Sequence, residues 1–162
     1  MKTLWLIRHA KSSWNHGSIT DIERPLSDRG YKDAGEMAER IKKHIVAPVL
    51  VSSPAIRAFS TAIIFSRHLG YDLSRIRISN LLYASGVDQY FSVIRRLEDE
   101  FQSALLFGHN PVISDVLNVT AGLQMDEMPT AAVAGIEYDI DSWKKLPLQT
   151  GKLTLFDFPK KK

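Results

Sequence analysis

Short apolar runs alternate with longer amphipathic segments along this chain, which is the pattern of strands followed by helices. Each apolar run is only a few residues long and is followed by a polar or turn-forming segment. Runs of this length are typical of buried strands. The sequence predicts such strands at residues 3–7, 49–51, 104–107 and, as a shorter and less apolar segment, 75–79.

Segments with a helical period lie between these strands. Ser27 is a typical helix N-cap, and the apolar side chains that follow it recur on one helix face as far as about His44. A second helix is expected after residues 52–54, where Pro54 would lie in its first turn, and Gly70 would end it. The sequence predicts two more helices, at residues 89–101 and from Pro111 to about residue 120.

The fold class follows from the order of these elements. Residues 131–140 and 152–158 predict two further strands that face each other across a connection containing Pro and Gly. Alternating strands and helices favour an α/β fold, with three layers and a mostly parallel sheet that carries helices on both faces. We expect antiparallel edge pairing near the C-terminus. A chain of 162 residues without repeat, linker or compositional break predicts one domain.

The charge balance does not by itself indicate a partner. The chain has 21 Lys and Arg residues against 18 Asp and Glu residues, a net charge of +3. Lys160, Lys161 and Lys162 account for this excess, and we interpret them as a solvated tail. The remaining body is neutral overall, so basicity gives no reason to expect nucleic acid or membrane binding.

Two absences in the sequence restrict the function further. The chain has no Cys, which excludes disulfides, thiolate metal sites and a Cys nucleophile. No apolar stretch approaches the roughly 18 residues of a membrane-spanning helix, and the N-terminus lacks the pattern of a signal peptide. We therefore expect a cytoplasmic protein.

Arginine and histidine side chains follow three of the predicted strands. Ligands bind at the carboxyl ends of parallel strands, so we expect these side chains to converge in one crevice. A planar guanidinium suits phosphate oxygens, and a neutral imidazole can attack phosphorus without a metal. The residues are Arg8, His9 and Lys11 after the first strand, Arg57 after the second, and His109 after the strand at 104–107.

Four blocks of the chain resemble, in order, motifs of the histidine phosphatase superfamily, which includes phosphoglycerate mutases and SixA-type phosphohistidine phosphatases. The similarity is carried by LIRHAKSSWN at residues 6–15, RPLSDRG at 24–30, SSPAIRAFSTA at 52–62 and FGHNP at 107–111. The resemblance implies a phosphoglycerate mutase-like fold. It also implies that residues 1–162 form a single histidine phosphatase domain of the SixA-type branch.

The same resemblance implies roles for individual residues. His9 would be the nucleophile that becomes a phosphohistidine, and Arg8 and Arg57 would bind the phosphoryl oxygens. His109 would donate to the same group. Asn15 is implied as a weaker substrate contact, and Lys11 is our second candidate for substrate binding. No cofactor and no metal are implied.

Two departures from the family pattern bear on the substrate. Ala10 stands where the signature has Gly. Many members also carry a carboxylate after the third strand that protonates the leaving oxygen, whereas residues 80–84 contain none and the nearest is Asp88. Without a general acid, a poor alkoxide leaving group is disfavoured, whereas the imidazole of a phosphoramidate can still depart.

We therefore predict a metal-independent phosphatase that acts on protein phosphohistidine or on another phosphorylated ligand with a good leaving group. Its partner would be a phosphorylated protein or a small phosphorylated molecule, and we expect a monomer. Two alternatives stay open. One is a small-molecule phosphomonoesterase or mutase, and the other is a phosphate-binding module without catalysis.

Overall fold

The computed structural model describes residues 1–15 and 17–160, so Lys161 and Lys162 of the predicted tail lie outside the described residues. The described part of the chain contains six strands and four α-helices. The strands are β1 Lys2–Arg8, β2 Pro48–Ser52, β3 Arg77–Ile78, β4 Ser103–Gly108, β5 Val133–Tyr138 and β6 Lys152–Asp157. The helices are α1 Asp28–Ile41, α2 Ile56–Leu69, α3 Val87–Arg95 and α4 Val112–Ala121.

The six strands form one sheet in the order β3-β2-β4-β1-β5-β6. Strands β1, β2, β3 and β4 all run parallel to one another. Strand β5 runs antiparallel to β1, and β6 runs antiparallel to β5 at the edge. The predicted fold class, a mostly parallel sheet with antiparallel edge pairing near the C-terminus, is confirmed.

Alternating side chains of β1 separate the two halves of the core. Leu4 and Leu6 pack on the face that α3 and α4 cover, whereas Trp5 and Ile7 pack on the opposite face with α1 and α2. Successive side chains of a strand point to opposite faces, so a continuous apolar run requires a helix layer on each side. The continuous run of apolar side chains in β1 therefore accounts for the predicted arrangement of three layers, in which helices cover both faces of the sheet.

Three element boundaries differ from the sequence prediction. Helix α2 begins at Ile56 with Ala55 as its N-cap, so Pro54 precedes the helix. The third strand is reduced to Arg77–Ile78. Helix α3 ends at Arg95, six residues before the predicted end, although Leu97 and Phe101 beyond it are buried in the core. Their apolar spacing reflects burial of a turn-rich segment and not a continued helix.

Two glycines, near the carboxyl ends of β1 and β4, allow neighbouring atoms to approach the backbone closely. A Cβ on Gly30 would lie 2.2 Å from the Lys11 carbonyl oxygen, which also accepts a 2.9 Å hydrogen bond from Ser27 N. A Cβ on Gly108 would lie 1.9 Å from the hydroxyl oxygen of Tyr90. A larger residue at Gly30 would displace the backbone of the Lys11 loop from α1, and one at Gly108 would displace the Tyr90 side chain. Within the described ranges, no helix is long and apolar enough to span a membrane.

Candidate active site

The carboxyl ends of β1 and β4 bring two histidines side by side. Arg8 pairs in register with Gly108, so His9 and His109 both leave the sheet at the same level. His9 N donates a 3.1 Å hydrogen bond to the Gly108 carbonyl oxygen. The two imidazole ring centroids lie 5.1 Å apart. Residues 100 positions apart in the sequence thus become neighbours because their strands are parallel and adjacent.

A pocket of about 400 Å³ opens at this edge of the sheet. Five of the six predicted site residues line it, namely Arg8, His9, Lys11, Arg57 and His109. Asn15 does not, because it lies in a neighbouring depression on the other side of Lys11. Asp88 is exposed in the first turn of α3 and is not among the described residues that line the pocket. The structure brings the residues together, and their chemical roles stay predictions.

His9 is held as a neutral imidazole with one free nitrogen. Its Nδ1 lies 2.7 Å from the Ala10 carbonyl oxygen. A carbonyl only accepts, so Nδ1 carries the proton and Nε2 keeps its lone pair. Burial lowers the pKa of His9 to about 3, and the nearby His109, Arg57 and Arg8 act in the same direction. His9 is therefore uncharged near neutral pH, which is the state of a nucleophile.

His109 has a different set of contacts. Its Nε2 lies 2.7 Å from the Ser53 hydroxyl oxygen, which also accepts a 3.2 Å hydrogen bond from Ala55 N. Because Ser53 Oγ already accepts one hydrogen bond, we assign its proton to the bond with Nε2 and the His109 proton to Nδ1. Burial, followed by the Arg57 charge, lowers the pKa of His109 to about 4. His109 is a neutral donor near neutral pH.

Three buried nitrogens of the pocket side chains have no hydrogen-bond partner in the described structure. They are Arg8 Nε, Arg57 Nε and His109 Nδ1. Leaving a buried donor unpaired costs about 1–3 kcal/mol, so unpaired donors on side chains that line one pocket favour binding of an acceptor there. Among the residues described, no group of three or more His, Asp or Glu side chains could hold a metal ion. The donor set fits an anion.

Comparison with known proteins identifies the family. A family model for the histidine phosphatase superfamily, branch 1, matches residues 4–81, which include Arg8, His9 and Arg57. A crystal structure from Agrobacterium tumefaciens, assigned as a phosphohistidine phosphatase SixA, shares 25% sequence identity with this chain. The similarity covers 98% of each chain with a TM-score of 0.78. The family model covers just under half of this chain, and these matches confirm the predicted resemblance to the histidine phosphatase superfamily.

Two further matches extend over almost the whole chain. The structure of the protein histidine phosphatase SixA complexed with tungstate has a TM-score of 0.80 at 21% identity, over 97% of both chains. An uncharacterised protein of Mycobacterium leprae is 27% identical over 167 residues, which is 95% of this chain and 100% of the relative. The SixA-like branch, the phosphoglycerate mutase-like fold and the phosphatase class are confirmed.

The pocket of this SixA-like phosphatase contains residues to which the sequence analysis assigned no role. Arg24 is a third arginine in its wall, and its guanidinium carbon lies 3.5 Å from the ring centroid of Trp14. Arg24 Nη1 donates a 2.8 Å hydrogen bond to the Ser12 hydroxyl. Arg24 belongs to the RPLSDRG block at residues 24–30, so the family resemblance could have identified it. The search for residues directly after strands could not, because Arg24 does not follow a strand directly. Asn110 and Thr130 also line the pocket.

The two histidines should make the stability of the fold depend on pH. Their folded pKa values of about 3 and about 4 lie below the ordinary value of 6.5, so the unfolded chain binds more protons below pH 6.5. Their contribution to the stability of the folded state is complete above pH 6.5 and is lost as the pH falls towards their folded pKa values. Each histidine should lower the free energy of unfolding by at most about 1.4 kcal/mol per pH unit in that window.

Urea unfolding at pH 7, 6 and 5 measures this slope. In the double variant His9→Asn/His109→Asn, the free energy of unfolding should depend much less on pH. In His44→Asn, which changes an exposed histidine, a larger part of the wild-type pH dependence should remain. An equal pH slope in the wild type and the double variant would contradict the prediction.

Proposed function

We propose that residues 1–162 form a single histidine phosphatase domain that hydrolyses phosphorylated ligands through a phosphohistidine at His9. The observation that carries this proposal is the state of His9. It is buried and neutral, its Nδ1 proton is engaged by Ala10, and its free Nε2 shares a pocket with arginine donors that lack a partner.

The first half of the reaction transfers the phosphoryl group to His9. The Nε2 lone pair attacks phosphorus, a P–N bond forms, and the bond to the leaving atom breaks with its electron pair on the leaving group. Arg8 and Arg57 donate hydrogen bonds to the equatorial oxygens, and His109 Nδ1–H adds a third donor. Such donors stabilise the charge of the transition state.

The second half releases phosphate. Water attacks phosphorus, the P–Nε2 bond breaks, and the electron pair returns to Nε2. The attacking water delivers its oxygen to phosphorus and its two protons to the phosphate oxygens or to solvent, so the products are inorganic phosphate and neutral His9. Both halves use the same donors, so one pocket serves both steps.

The substrate class follows from the protons that the pocket can supply. Asp88 is exposed and outside the pocket lining. Asp21 lies against Arg57 at the pocket wall, but its hydrogen bond from Tyr83 and the arginines beside it lower its pKa to about 2, so it stays ionised. The leaving group must therefore depart without an acid from the pocket. This favours phosphohistidine over an alkoxide, because its ring leaves as neutral imidazole when the other ring nitrogen already carries a proton. Two neighbours of known structure are described as SixA proteins, and this supports a protein-borne phosphohistidine.

Substrates that differ only in the leaving group test the proposal. Phosphate release should be readily measured with a phosphohistidine peptide and with 4-nitrophenyl phosphate, because both leaving groups depart without an acid. Glycerol phosphate should react at least about 100-fold more slowly, the factor that a general acid typically supplies. Comparable turnover of glycerol phosphate would instead favour a small-molecule phosphomonoesterase. Phosphate binding without turnover of any substrate would favour the non-catalytic module.

A further inference from the structure

We propose that Asp21 is a positioning residue, which orients the guanidinium groups of Arg57 and Arg24 for binding the phosphoryl group. The inference rests on the proposed function, since it assigns a role within the same pocket. Asp21 begins a short 3₁₀ turn, Asp21–Glu23, in the loop between β1 and α1. Asp21 lies well beyond the end of β1, and the sequence analysis assigned it no role.

Asp21 holds both terminal nitrogens of Arg57. Its carboxylate oxygen Oδ2 accepts a 3.0 Å hydrogen bond from Nη2, and its carbonyl oxygen accepts a 2.7 Å hydrogen bond from Nη1. Two bonds from one residue fix the plane of a guanidinium and leave its Nε side for another acceptor. Arg57 Nε is buried and has no partner among the residues described. Asp21 thus fixes the orientation of Arg57 and does not engage its Nε.

The same carboxylate also contacts the third arginine of the pocket. Its other oxygen, Oδ1, accepts a 3.2 Å hydrogen bond from Arg24 Nε. Arg24 is further fixed by Ser12 and by the indole ring of Trp14, as described above. One negative charge therefore sets the orientation of two positive groups in the pocket wall.

Tyr83 completes the network from the segment that follows β3. Its hydroxyl donates a 2.7 Å hydrogen bond to Asp21 Oδ2. Its ring meets the His109 ring edge-on, with 5.5 Å between the centroids. Tyr83 lies in the segment where many family members place an acid, and here that segment supplies a donor to a carboxylate from another loop.

A positioning role and a purely electrostatic role make opposite predictions. A carboxylate beside an anion site repels the anion, so removal of its charge alone should strengthen anion binding. If Asp21 acts by orienting the arginines, its removal should weaken anion binding although the pocket becomes more positive. The sign of the change in affinity therefore separates the two roles.

Calorimetric titration with tungstate measures that sign. Asp21→Asn should raise the tungstate Kd about tenfold, the typical loss for hydrogen bonds that involve charged groups. The matched control is Glu127→Gln, which removes the same charge near Arg8 from an exposed residue with no hydrogen bond in the described structure. It should leave Kd unchanged or lower it by up to about threefold.

The route through Arg57 is tested by a double-mutant cycle. In an Arg57→Ala background, Asp21→Asn should raise the tungstate Kd much less, because Arg24 is then the only one of the two arginines left for Asp21 to orient. Tyr83→Phe removes one hydrogen bond to Asp21 and no charge, so it should raise Kd about threefold and KM for 4-nitrophenyl phosphate in parallel. It also serves as the test if Asp21→Asn does not fold, which thermal unfolding would show.

Three results would overturn the proposal in distinguishable ways. Tighter tungstate binding by Asp21→Asn, as for Glu127→Gln, would show that only its charge matters. An unchanged Kd in Tyr83→Phe together with an equal effect of Asp21→Asn with and without Arg57 would show that it does not act through Arg57. Failure of the wild type to bind tungstate would remove the proposed function itself and this inference with it.

Discussion

Phosphate release from 4-nitrophenyl phosphate should be lost in His9→Ala, with kcat lower by about 10⁴-fold or more. No other described side chain in the pocket combines burial, neutrality and a nitrogen lone pair that is free of hydrogen bonds. The His109 Nε2 lone pair is taken by the Ser53 hydroxyl. Tungstate should still bind to His9→Ala, because Arg8 and Arg57 remain in the pocket wall. The substitution thus separates chemistry from binding.

The proposed phosphohistidine intermediate can be detected directly, and this tests the same assignment of His9 as the nucleophile. Wild-type protein mixed with a ³²P-labelled substrate and quenched in alkali should retain label as phosphohistidine, and His9→Ala should retain none. His44→Ala is the matched control, because His44 is exposed and its ring lies near Trp5, away from the pocket. Turnover by His9→Ala near the wild-type rate, or label that is retained without His9, would refute the assignment of the nucleophile.

The second large effect is expected for Arg57→Ala, which should lower kcat/KM for the same substrate by about 10²–10³-fold. Arg57 is buried, and its planar group binds Asp21 on one side while Nε remains free on the other. Arg57→Lys should recover little, because an ammonium cannot bond to Asp21 at two points and to a phosphoryl oxygen in one plane.

Arg67→Ala is the control for Arg57→Ala. Arg67 lies on the same helix α2 and carries the same charge, but it is exposed near the far end of that helix. Its removal should change kcat/KM by less than about twofold, as for a solvated charge. Equal losses in both variants would mean that the general positive charge of α2 matters and that the bonds of Arg57 do not.

Local patterns in the sequence were sufficient for the scaffold and for most of the pocket lining. Apolar runs of about three to five residues predict buried strands, and the Ser27 cap predicts the start of α1, because each depends on neighbouring residues alone. Once the strands are parallel, their carboxyl ends must share one edge. The meeting of Arg8 and His9 with His109 therefore follows from strand order, as does the nearby start of α2 with Arg57.

The parts that the sequence did not predict depend on how loops and turns pack against that scaffold. Asp21 contacts Arg57, and Arg24 lines the pocket, because the loop after β1 folds back across α2, and no local pattern encodes these positions. Tyr83 reaches Asp21 from a segment 62 positions away. Conversely, Asn15 matches a family position but lies outside the pocket.

The protonation states have the same tertiary origin. Burial is the largest cause of the low pKa values of His9 and His109, and burial exists only in the packed molecule. Residue type and strand order therefore decide which groups meet at the sheet edge. Their charge, orientation and unpaired donors arise from long-range packing, because desolvation and hydrogen-bond geometry depend on atoms that are far apart in the chain.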